Sequence, residues 1–219
     1  MNLHHLHVTP IRHRLLSAIA GQLGRPHGLL GPLVARVLNR GNGKAIADAV
    51  DAAHVQPGSS AADVGFGGGI GLRLLLDRVG DNGNVHGVEI AEAMLRRARS
   101  ALRHDVQSGR LRLSEGSLTG LPFPDASLDT VITLNTVYFI SDLDAACAEL
   151  ARVLRPGGRV VVGIGDPEVM RRAPFTRFGF TLRPVTDIAA ALTKTGLTVE
   201  QRRIEDKPMP RYVFVGLRP

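Results

Sequence analysis

Between residues 60 and 165, short apolar runs alternate with helix-periodic ones, and that alternation restricts the chain to few folds. The runs at 61–64, 84–89, 111–115, 128–134 and 159–164 read as strands, and 128–134 is nearly continuous, as a strand covered on both faces should be. Between them lie helical stretches. The one at 70–79 ends at Gly80 and the turn Asp81-Asn82-Gly83. At 91–102, Ala91, Met94, Leu95, Ala98, Ala101 and Leu102 fall on one face. The one at 143–154 is stopped by Pro156-Gly157-Gly158. Strands separated by helices pair in parallel, and right-handed crossovers put helices on both faces, so a doubly wound α/β sheet is expected. After a tail helix at 186–195, two strand-like runs at 197–204 and 212–217 have no helix between them and should pair antiparallel at one edge. Upstream, 33–38 and 45–53 carry helical periodicity on either side of the breaker Gly41-Asn42-Gly43, and Pro57-Gly58 turns the chain into the alternating region. The expected division is an N-terminal helical cap, 1–57, and a sheet domain, 58–219.

The richest local signal lies where the first strand meets its helix: Asp63-Val64-Gly65-Phe66-Gly67-Gly68-Gly69-Ile70. In a doubly wound sheet, ligands bind beyond the carboxyl ends of the strands near the switch in strand order. Glycines there permit a tight turn and a close backbone approach. Glu89 closes the second strand, at a distance where a carboxylate can accept from both hydroxyls of a ribose. A nucleoside ligand is therefore expected. A dinucleotide fingerprint starting at Gly65 needs Gly or Ala at 70, where Ile70 stands. Starting at Gly67, it needs one at 72, where Leu72 stands. The Lys-Ser/Thr ending of a triphosphate-binding loop is also missing.

The Asp63-x-Gly65-x-Gly67-x-Gly69 spacing resembles the first motif of class I S-adenosylmethionine-dependent methyltransferases. Three later stretches resemble that family in order and spacing: Gly87-Val88-Glu89-Ile90, the segment Leu121-Pro122-Phe123-Pro124-Asp125-Ala126-Ser127-Leu128-Asp129, and Arg152-Val153-Leu154-Arg155-Pro156-Gly157-Gly158-Arg159. The branch resembled is that of ubiquinone/menaquinone biosynthesis and other small-molecule methyltransferases. The resemblance covers about 58–165 and implies a Rossmann-like sheet of seven strands, with S-adenosylmethionine as cofactor. It further implies that Asp63, Gly65, Phe66, Gly67 and Gly69 form the loop around the methionine moiety, that Glu89 takes the ribose and that Ile90 packs on the adenine. Ser117 stands where many relatives place an Asp that accepts from the adenine amine, and Leu118 would offer its backbone N–H to the ring. Asn135 would face the methionine and the transferred methyl.

Methyl transfer needs alignment and exclusion of water more than a base, so the absence of an obvious triad does not count against it. In Asn135-Thr136-Val137-Tyr138-Phe139, Asn135 and Tyr138 are the catalytic candidates. Tyr138 is read either as a group that orients or deprotonates the acceptor, or as a packing tyrosine with its hydroxyl in water. Three of the seven Phe fall within Phe175-Thr176-Arg177-Phe178-Gly179-Phe180. Phe175, Arg177, Phe178 and Phe180 are read as a substrate lid, or else as an apolar plug under a loop. Arg171, Arg172 and Arg177 are candidates for an acidic group on the acceptor.

The net charge of +7 comes from the flanks. Lys/Arg outnumber Asp/Glu six to two over 1–57 and ten to five over 167–219, against eleven to thirteen between them. This suits anionic partners or simply solubility. Only two Tyr and no Trp leave little stacking surface for nucleic acid, although peripheral contact with an anionic surface stays open. No apolar stretch approaches the ~18 residues of a membrane span, and no secretory signal is read. The single Cys147 belongs on a buried helix face, which fits a reducing cytoplasm. His4, His5, His7 and His13 lack the Cys or carboxylate set of a metal site, so no metal is expected; His27 reads as a surface turn. Three functions stay open, in this order: a methyltransferase of small apolar, aromatic or acidic acceptors; an RNA or protein methyltransferase using the basic flanks; and a non-catalytic cofactor-binding scaffold.

Overall fold

The computed structural model describes residues 31–207 and 209–219, without the side chains of 31–41 and Phe175. The readings of His4, His5, His7, His13 and His27 lie outside the described residues. The described chain runs α1 (Gly31–Ala53), β1 (Ser60–Val64), α2 (Ile70–Val79), β2 (Asn84–Glu89), α3 (Glu92–Ala101), α4 (Arg103–Gln107), β3 (Leu111–Glu115) and β4 (Leu128–Leu134). It continues with a 3-10 turn (Val137–Phe139), α5 (Leu143–Val153), β5 (Leu154–Gly165), α6 (Pro167–Met170), a second 3-10 turn (Pro174–Arg177), α7 (Val185–Lys194), β6 (Thr198–Ile204) and β7 (Arg211–Leu217).

The seven strands form one sheet in the order β3-β2-β1-β4-β5-β7-β6. The first five are parallel, and β7 runs antiparallel between β5 and β6. The doubly wound sheet with an antiparallel terminal pair is thus as expected. The order reverses between β1 and β4, so the crevice at their carboxyl ends is the natural ligand position. Alternation along β1 explains how both faces are covered. Ala62 and Val64 enter the layer of α5 and α7, while Ala61 enters that of α1, α2 and α3. Cys147 is buried on α5 as expected, its thiol pushed up to about 11 by burial and then by the charge of Asp144.

Three local expectations are corrected. Gly41-Asn42-Gly43 does not break the helix, since α1 runs through it. An interior glycine costs only about 1 kcal/mol, and Ala49, Val50 and Ala53 anchor the following turns in the core. The second concerns Pro156-Gly157-Gly158, which stops α5 but does not delay β5. Leu154 already pairs with Leu128, and the ladder resumes at Arg159 and Thr130 after a register shift. Ala101, expected on the buried face of α3, is exposed. The far ends of the chain are stitched together by the buried Arg211 of β7, which pairs with Asp206 at 2.5 Å and with Asp48 of α1; Lys44 joins Asp206 at 2.6 Å.

Candidate functional site

The loop after β1 folds as it does because three of its glycines take positive φ: +75° at Gly65, +47° at Gly67 and +82° at Gly69. They serve different ends. A Cβ on Gly65 would stand 2.5 Å from the Thr136 hydroxyl, so Gly65 lets the loop close against the end of β4. At Gly67 and Gly69 the nearest atom to a Cβ would be 4.0 Å away, so there the glycines leave an open cradle. Phe66 is 5% exposed and its ring packs in the core, in space kept by Gly87, whose Cβ would meet it at 3.0 Å. Only the Phe66 backbone can therefore line a ligand.

Two acids sit under this cradle. Glu89 is 6% exposed and binds three backbone N–H groups. Oε2 accepts from Gly67 at 3.0 Å, while Oε1 accepts from Ile90 at 2.8 Å and Ala91 at 3.0 Å. This carboxylate organises both the glycine loop and the start of α3. Asp63 is 5% exposed on the α2 side of β1, and its Oδ2 lies where a Cβ on Gly71 would be. Burial first, then the charge of Glu89, pushes its carboxyl up to about 8. A cation placed here would relieve that repulsion.

Beyond Glu89 the sheet continues to β3. Glu115 is its ladder partner, and Gly116 N donates to Glu89 O at 3.3 Å. Ile90 stands out as an exposed aliphatic ledge, 41% accessible. Leu118 is buried, 1% exposed. Ser117 and Thr119 hydrogen-bond to each other through their hydroxyls at 3.2 Å.

On the other side of the cradle, Asn135 ends β4 in the left-handed region at φ +58°, anchored by its N–H to Gly163 O at 2.8 Å. Asn is among the few side chains that tolerate this conformation. Tyr138 does not pack with its hydroxyl in water. It is 3% exposed, its hydroxyl accepts from Gly165 N at 2.6 Å, and the same hydroxyl lies 3.4 Å from Asn135 Oδ1. Burial pushes its pKa above the ordinary phenol range, which keeps the hydroxyl protonated. It ties the ends of β4 and β5 together.

Of the aromatic segment, Phe180 is the residue brought to this place. Phe180 packs on Tyr138 at 5.6 Å and on Phe139 at 4.8 Å between ring centres. Thr181 N donates to Tyr138 O at 2.8 Å, and the Arg183 guanidinium donates to Val137 O at 2.9 Å and Ser141 O at 3.1 Å. Phe178 is half-buried, Arg177 is exposed, and the Phe175 side chain lies outside the described residues. Of the candidate acceptor-binding arginines, Arg171 is engaged with Glu168. No role for Phe139, Arg183 or Asp166 is singled out from the sequence. Asp166 is 5% exposed, caps α6 by accepting from Glu168 N at 2.9 Å, and accepts from Arg203 at 3.2 Å. An Asp immediately before a Pro at a helix start was the available signal for this cap. Among the described residues no group of three His, Cys, Asp or Glu could hold a metal ion, and no helix is long and apolar enough to cross a membrane.

Comparison with known proteins bears on this geometry. The family described as a methyltransferase domain matches residues 62–162, the span from β1 to β5. The uncharacterized methyltransferase YdaC of Bacillus subtilis is 30% identical over 134 residues, covering 61% of this chain and 71% of that protein. The ubiquinone/menaquinone biosynthesis C-methyltransferase UbiE of Legionella pneumophila is 34% identical over 113 residues, covering 52% of this chain but only 45% of the relative. Among solved structures, the methyltransferase in complex with the Haloferax volcanii Trm112 methyltransferase activator superposes with a TM-score of 0.74 at 20% identity, over 93% of this chain and 97% of that one. A SAM-dependent methyltransferase from Aquifex aeolicus gives 0.65 at 18% identity, over 92% and 97%. At these identities the structural likeness is one of fold. With the motif-bearing strands, the open glycine cradle and the paired acids in place, the chain belongs to the methyltransferase-domain family, among the class I S-adenosylmethionine-dependent methyltransferases.

Proposed function

We propose that this protein transfers a methyl group from S-adenosylmethionine to a small apolar or aromatic acceptor. The observation that carries the reading is the pairing of two buried carboxylates, Asp63 and Glu89, beneath a glycine loop that is open at Gly67 and Gly69. That arrangement suits a ligand that is cationic at one end and a nucleoside at the other. Backbone groups of Gly65 to Gly69 hold the methionine end, with Asp63 supplying negative charge below them. Glu89 has about one acceptor position left after its three backbone bonds, and this serves the ribose. Ile90 offers the ledge for the base. Asn135 meets the methionine end from β4. When bound, the donor supplies a methyl group on a sulfonium whose charge is lost as the methyl leaves.

The protein's part is alignment and exclusion of water, and holding two reactants in line is worth roughly 7–11 kcal/mol of barrier. Tyr138 acts as a positioning residue, fixing Asn135 and the end of β5. Phe139 and Phe180 form an apolar wall beside it, with Phe175, Arg177 and Phe178 on the same segment as Phe180. This favours a flat or hydrocarbon-like acceptor. The quinone-biosynthesis name of one set of relatives points the same way.

Calorimetric titration with S-adenosylmethionine and S-adenosylhomocysteine, with NAD as control, tests the donor half. Micromolar binding of the first two and none of NAD is expected. Binding of NAD alone, or of none of the three, would remove the reading.

A further inference from the structure

The carboxyl ends of β4, β1, β2 and β3 lie side by side, neighbouring strands being about 4.8 Å apart. On the donor reading above, the methionine end lies over β1 and the ribose over Glu89 on β2. The base then extends over the end of β3, which the Glu89–Glu115 register and the Gly116 N to Glu89 O bond hold against β2. Its support there is aliphatic: the exposed Ile90, with the Leu118 side chain turned into the core. The polar side chains of the turn 116–120 are Ser117 and Thr119 alone. Their hydroxyls satisfy each other at 3.2 Å, and Thr119 N approaches Ser117 Oγ at 3.4 Å. Both bonds lie at the solvent-exposed rim.

A carboxylate placed to accept an exocyclic amine would be left unpaired by a base lacking that amine, and the site would reject such a base. Two hydroxyls already bonded to one another lose nothing when the amine is absent, since each can donate or accept and both reach water. The exposed rim also leaves room for a substituent on the amine.

We propose that the donor site reads the purine by its flat apolar face and not by its 6-amino group, so that donor analogues lacking or substituting that amine are bound as well as the parent compound.

The test is titration of the full chain with S-adenosylhomocysteine, with its 6-deamino analogue (hydrogen in place of the amine) and with its N6-methyl analogue. Both analogues are expected within about fivefold of the parent Kd. Binding of the parent with more than fivefold weakening of either analogue overturns the inference and leaves the donor reading standing. Failure of all three to bind overturns both. A second variant checks the placement of the base edge. Ser117→Asp is expected to introduce at least about tenfold preference for the parent over the 6-deamino analogue, the effect of an added charged acceptor. An unchanged ratio between the two ligands in that variant would place the amine elsewhere and overturn the inference.

Discussion

Asp63 stands one residue before the end of β1 and Glu89 ends the neighbouring β2, and the charge on Glu89 helps keep the proton on Asp63. The two acids therefore do different work. Glu89 is stitched to three amides and holds the loop's shape, while Asp63 waits beneath it as a latent charge.

Asp63 makes stability depend on pH in a direction opposite to that of most acids. In the fold its carboxyl keeps its proton up to about pH 8, whereas an unperturbed carboxyl ionises near 3.8. Between these limits unfolding releases a proton, so stability falls as pH rises from about 4 to about 8. Asp63→Asn lacks that loss. Thermal unfolding of the ligand-free protein at pH 7.5 should show the variant more stable by roughly 2–4 kcal/mol, with the gap closing near pH 4. A variant no more stable than the parent at pH 7.5 would mean that Asp63 is already ionised.

Donor binding should also expel the Asp63 proton, because a cation beside the carboxyl favours its charged form. Heats of S-adenosylmethionine binding at pH 7, measured in phosphate and in Tris, should differ by the ionisation heat of the buffers. Identical heats would show that no proton moves.

Glu89→Ala removes the carboxylate proposed to take the ribose and leaves three amides without their partner. Donor affinity should drop by roughly 1.5–3 kcal/mol, or about 10–150-fold. Unchanged affinity by calorimetry would mean that the ribose lies elsewhere.

Tyr138→Phe leaves the Gly165 N–H without its partner in a buried place, and denaturant unfolding should register a loss of about 1–3 kcal/mol. If Tyr138 only positions, the pH profile of methyl transfer keeps its shape in the variant. Loss of an alkaline limb from that profile would restore the tyrosine as a base.

Gly65→Ala should cost more than Gly58→Ala. Both positions have positive φ, but Gly58 has nothing within 4 Å of its Cβ position, while Gly65 faces Thr136. The conformational penalty is about 1–2 kcal/mol at each. The excess at Gly65 should be recovered in part by adding Thr136→Ala, as read by thermal unfolding. No recovery would place the strain outside this contact.

The bounds of β2, β3 and β4 were readable because apolar runs there are bracketed by turn residues. What escaped depends on partners far along the chain. Glycines at 41 and 43 look like a break until the burial of Ala49, Val50 and Ala53 is known. Tyr138 looks accessible until Gly165, 27 residues on, takes its hydroxyl. Phe66 follows Gly65 in the motif, and its inward turn depends on the space above Gly87 in another strand. The motif thus located the glycine loop and the acid that organises it, while the neighbouring wall rests on contacts of Phe180 and Arg183 that no local spacing encodes.

Asp48 and Arg211 are 163 residues apart in sequence, yet one ion pair joins them. A truncation that removes α1 would therefore be felt first in β7. Amides of β7 should exchange faster in such a shortened chain, although every residue of that strand is still present.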